Sequence, residues 1–68
     1  MKIFINDREI IIFRGAMVRD AVRRYSRRSS KQVEAGFLMI VDRYGNKTET
    51  DGELTDGQKL YLKNVNHE

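Results

Sequence analysis

Sixty-eight residues leave room for one domain built around a single small core. At 40% hydrophobic and 34% charged, the chain is too apolar for disorder and too polar for a membrane span, and with no cysteine it has neither a disulfide framework nor a thiolate site. The net charge of +3 is unevenly spread: residues 14–31 carry seven basic groups against Asp20 alone, whereas residues 32–68 carry four basic and seven acidic groups.

The opening MKIFINDREIIIF has its apolar stretch split by Asp7, Arg8 and Glu9. A signal peptide needs about 7–15 uninterrupted apolar residues, so a β-hairpin is expected here, not a targeting segment, and a cytoplasmic location follows by default. A two-residue loop at Asp7-Arg8 would set Ile5 opposite Ile10 and Ile3 opposite Ile12 on the core face, with Phe4 facing Ile11 on the other. After Gly15 a helical period takes over, and Val18, Ala21, Val22 and Tyr25 form one apolar stripe. One helix is expected from Ala16 or Met17, although neither residue is a good N-cap. Ser29, Ser30, Lys31 and Gln32 read as fraying and loop. Phe37–Val41 reads as a buried or central strand, and a turn follows in which Gly45 or Asn46 can take positive φ. Lys47–Thr50 reads as a short polar edge strand, Leu54 as a core plug between two Asp-Gly turns, and Lys59–Val65 as the last strand. Residues 66–68 are a tail, so the domain is 1–65. The expected class is α+β: a mixed sheet of four to five strands with one helix packed on one face.

MKIFINDREIIIF, then Arg14-Gly15 and the Val18/Ala21/Val22 helix, resembles the ubiquitin-like β-grasp families, and most nearly the small sulfur carriers of thiamine and molybdopterin synthesis. Leu54-Thr55-Asp56-Gly57-Gln58-Lys59-Leu60 looks like the segment that precedes their last strand, and TGS domains of RNA-linked enzymes share these elements. The resemblance spans about the whole chain as element order and spacing, and implies the β-grasp fold. Those carriers act through a C-terminal Gly-Gly, where this sequence reads Asn64-Val65-Asn66-His67-Glu68. A degenerate or processed carrier is therefore one expectation, and no carrier residue transfers.

Catalytic motifs are sparse. His67 is the only histidine and falls in the tail; Ser26, Ser29 and Ser30 have no base partner. Asp51, Glu53 and Asp56 flank turn glycines without EF-hand spacing, and Gln58 stands where a P-loop needs lysine. The expectation is a non-catalytic domain with no cofactor and no metal.

Two features suggest partners. Arg19, Arg23 and Arg27 make one stripe of a continuous helix, with Arg24 and Arg28 beside it, a patch suited to an acidic protein or a nucleic-acid backbone. With one helix covering one face of the sheet, Phe4, Ile11, Phe13 and Tyr61 on the other face form an apolar surface for a protein partner, as ubiquitin-like proteins have. The leading expectation is a small interaction module, monomeric or weakly dimeric. Its partner would be a protein, such as an enzyme of a sulfur-transfer pathway; nucleic acid on the basic helix is the alternative, and no membrane is involved.

Overall fold

The computed structural model describes residues 1–65, so the expected tail at 66–68 lies outside the described residues. The chain runs β1 (Lys2–Ile5), β2 (Arg8–Ile11), α1 (Val18–Tyr25), α2 (Arg27–Glu34), β3 (Leu38–Asp42) and β4 (Lys59–Asn64). The four strands form one sheet in the order β2-β1-β4-β3; β1 and β4 are parallel, and both outer pairs are antiparallel. This is a mixed-sheet α+β domain. It has two helices where the sequence suggested one.

The hairpin keeps its faces and changes its register. Its loop is Asn6-Asp7, with φ of 50° and 67°, so Ile3 pairs with Ile10, Phe4 with Glu9 and Ile5 with Arg8. A two-residue turn that matches strand twist needs positive φ at both positions, which Asn and Asp tolerate and Arg does not. The shift from the expected pairing is two residues, and side chains alternate with period two. Ile3, Ile5, Ile10 and Ile12 therefore remain on the core face, all under a tenth exposed.

The core is completed by Val18, Ala21 and Val22 from α1, with Ala16, Ile40 and Leu60; Leu54 and Leu62 pack against it half-buried. Burial of the α1 stripe is what the helical period predicted. The start of α1 was the weak point of the sequence, and the fold supplies the missing partners. The Val18 amide donates to the Gly52 carbonyl (3.0 Å) and the Arg19 amide to the Thr50 carbonyl (2.9 Å). Asp20 reaches back to accept from the Met17 amide at 2.9 Å.

Ser26, with φ −165° and ψ 123°, ends α1 and begins α2, and its hydroxyl accepts from the Ser29 amide at 3.1 Å. Residues 29–32 are thus helical, not loop. Val33 is the one apolar position of α2 that packs on the core, too little to give a sequence a visible amphipathic period. The helix closes at Gly36 (φ 86°), whose amide donates to the Val33 carbonyl (3.1 Å) while Phe37 donates to Gln32 (2.9 Å), the Schellman pattern.

Two further expectations are corrected. β3 is an outer strand, not a central one, and Phe37 precedes it 63% exposed. Residues 47–50 form no strand; Lys47 makes a single bridge to Val41. The segment before β4 is tied to β1 instead, through Asp56 accepting from the Lys2 amide (2.8 Å) and Phe4 donating to the Gln58 carbonyl (2.9 Å).

Candidate binding surface

The helices cover the sheet face that carries Ile3, Ile5, Ile10 and Leu60. On the opposite face, pairing places Phe4 beside Lys59 and Tyr61 beside Val41. This face is partly closed. The Lys59 ammonium lies 5.9 Å from the centre of the Phe4 ring, and Lys2 pairs with Glu9 at 3.1 Å across the hairpin. Tyr61 donates to the Asp7 carboxylate at 3.0 Å, and the fixed acceptor holds its phenol above the usual tyrosine range by favouring the protonated form. Phe4 and Tyr61 are half-buried as a result, while Ile11 and Phe13 remain 58% and 64% exposed. The structure does not gather the four expected apolar residues into one equally open patch. It leaves the two on and just beyond β2.

The five arginines are divided as well. The break at Ser26 puts Arg19, Arg23 and Arg24 on α1, and Arg27 and Arg28 in the first turn of α2. All five are exposed. Arg28 faces a shallow depression with Lys31 and Phe37, and Arg19 lies beside Glu34 and Thr50. Arg27 also borders that depression, and Arg23 and Arg27 line another beside Lys31 and Glu34. With Arg24 they line an open groove of about 860 Å³ that runs along β2 past Ile11, Ile12 and Phe13. The two features that looked separate in the sequence meet at this groove.

Tyr25 and Asp20 complete the groove. Tyr25 was expected on the core stripe; it is half-buried, and its hydroxyl accepts from the Asn6 side chain at 3.4 Å. No composition or period could have placed it there, because the groove exists only once α1 lies beside β2. Asp20 places one carboxylate in the groove; it accepts from the Met17 amide and makes no ion pair with an arginine among the described residues. Among the described residues the one ion pair is Lys2–Glu9. Three guanidinium groups thus face the groove without a carboxylate partner among those residues.

No group of three or more His, Cys, Asp or Glu able to hold a metal is found among the described residues, and no helix there is long and apolar enough to cross a membrane. Compared with known protein families, curated proteins and solved structures, the chain finds no match.

Proposed function

We propose that this chain is a small non-catalytic interaction module of the β-grasp, ubiquitin-like type, and that it binds a protein through the groove between β2 and α1. The fold reading is supported by the central parallel pairing of the first and last strands, an opening hairpin and helices on one face. One observation carries the functional reading. Ile11 and Phe13, more than half exposed, line the same open groove as Arg23, Arg24 and Arg27. Exposed aromatic and branched side chains beside arginine are the composition of interface anchors, and exposed apolar area gains by being covered.

A phosphate backbone is the second reading, because Arg23, Arg24, Arg27 and Arg28 are all exposed on the helices. Two double variants separate the two. Ile11→Ser with Phe13→Ser should abolish binding to the protein partner captured from cells and leave any binding to duplex DNA or single-stranded RNA intact. Arg23→Glu with Arg27→Glu should weaken both. Nucleic-acid affinity that falls steeply with salt, survives the apolar changes and disappears with the arginines would replace the module reading.

A further inference from the structure

α2 is held to the rest of the domain by little besides Val33, so most of its surface faces outward. Arg28, Lys31, Gln32 and Ala35 stand at i, i+3, i+4 and i+7 on its outer face, and all four are exposed. The turn at Gly36 then brings Phe37 back beside that face. With Arg27 these residues line a shallow depression of about 510 Å³. The Phe37 backbone is fixed on both sides: its amide donates to the Gln32 carbonyl (2.9 Å) and its carbonyl accepts from the Val65 amide (3.0 Å). The residue is nevertheless 63% exposed. The face is therefore cationic toward its N-terminal end and apolar toward its C-terminal end. Glu34, the one carboxylate of α2, lies on another side of the helix, beside Arg19 and Thr50.

We infer that this face docks an acidic amphipathic helix of a protein partner, as a second interaction surface beyond the groove. Arg27, Arg28 and Lys31 make no ion pair among the described residues, and like charges three and four residues apart on a helix repel one another. Carboxylates of a partner relieve that repulsion and receive charge-assisted hydrogen bonds. Arg28 and Ala35 are separated by about 10 Å along α2, at about 1.5 Å per residue. The partner helix accordingly carries its carboxylates about two turns from an apolar residue that covers Phe37 and Ala35. A side chain mounted on a backbone already fixed loses less freedom on binding, which suits Phe37 to anchor the contact.

Backbone geometry and charge select this occupant over the others. An extended strand finds no free sheet edge beside α2, because the segment after β3 closes it: Thr48 donates to the Ile40 carbonyl (2.8 Å) and Asp42 to the Asn46 carbonyl (2.9 Å). A helix satisfies its own backbone groups and needs no such edge. A second copy would double the cations at the contact and add no carboxylate, since Glu34 faces elsewhere. A single strand of nucleic acid would find one ring to stack on, where such binders use several in succession.

The test is a titration of the isotope-labelled chain with an end-blocked, alanine-based helical peptide of about sixteen residues, read by amide chemical shifts. The peptide carries glutamates on its opening turns and leucines about two turns further on. Saturable shifts concentrated at residues 27–37 are expected. Replacing glutamate by lysine should remove binding, and replacing leucine by serine should weaken it at least about tenfold. Phe37→Ser should weaken it by a similar factor, as should Arg28→Glu with Lys31→Glu, all at exposed sites compatible with a dispersed spectrum. Ile11→Ser with Phe13→Ser should leave this binding unchanged. No saturable shifts at about millimolar peptide, equal binding of the peptide without leucine, tighter binding of oligothymidylate at the same residues, or α2 shifts that follow protein concentration without peptide would each overturn the inference. If the peptide fails while Ile11→Ser with Phe13→Ser still abolishes capture of the cellular partner, the α2 surface falls and the groove reading stands.

Discussion

Val22 tests the helix-to-sheet packing on which the groove depends. It is 1% exposed on α1 and belongs to the same cluster as Ile3, Ile5, Ile40 and Leu60. Val22→Ala removes two carbons, about 1.6 kcal/mol of transfer free energy at about 0.8 kcal/mol per carbon. The space left behind adds roughly 1 kcal/mol for a residual cavity of about 40 Å³. A loss of about 2–3 kcal/mol is large for a domain of 68 residues, whose whole stability at typical values per residue is roughly 3–10 kcal/mol. Thermal unfolding followed by far-ultraviolet circular dichroism should show Tm lowered by about 10–20 °C. Val22→Asp buries a charge among aliphatic side chains and should leave no cooperative transition. Arg24→Ala, exposed on the same helix, serves as the control and should stay within about 0.5 kcal/mol of the original chain. A Val22→Ala variant as stable as that control, or a folded Val22→Asp variant with dispersed amide shifts, would refute the assignment of this helix face to the core.

Gly36 ends α2 at φ 86°, and a Cβ there would meet no atom within 4 Å. Gly36→Ala should therefore cost roughly 1–2 kcal/mol from backbone conformation alone; an unchanged urea midpoint would show that the helix does not end in this motif. Asp42 accepts from the Asn46 amide at 3.0 Å and the Tyr44 amide at 2.8 Å, and these bonds, that to Asn46 foremost, hold its carboxyl below the ordinary value of 3.8. Its folded pKa is the lower one, so its contribution to stability is present above the unfolded value and is lost as the pH falls through the folded one. Asp42→Asn should accordingly flatten the loss of stability below about pH 4 in urea melts taken across pH. Equal slopes for the two chains would remove Asp42 from the account of acid unfolding.

Much of this domain is written in local pattern. The Ile3/Ile5/Ile10/Ile12 face and the Val18/Ala21/Val22 stripe were legible because a buried face must repeat with the period of its own backbone. The exposed arginines were legible too, since charge without a partner stays in water. What local pattern could not convey is where elements stop and what stands beside them. Ser26 splits a basic run into two helices, its hydroxyl accepting from the Ser29 amide, and α2 shows no period because it buries little more than Val33. The start of α1, without a capping side chain at Met17, is completed by the carbonyls of Thr50 and Gly52, more than thirty residues further along the chain. The groove is of the same kind. Ile11, Phe13, Tyr25 and three of the arginines come to line one groove only through the strand order, which leaves β2 outermost beside α1. Side-chain period is a property of neighbours in sequence and can be read there; hydrogen-bond partners and sheet edges are properties of neighbours in space, and the folded chain alone decides them.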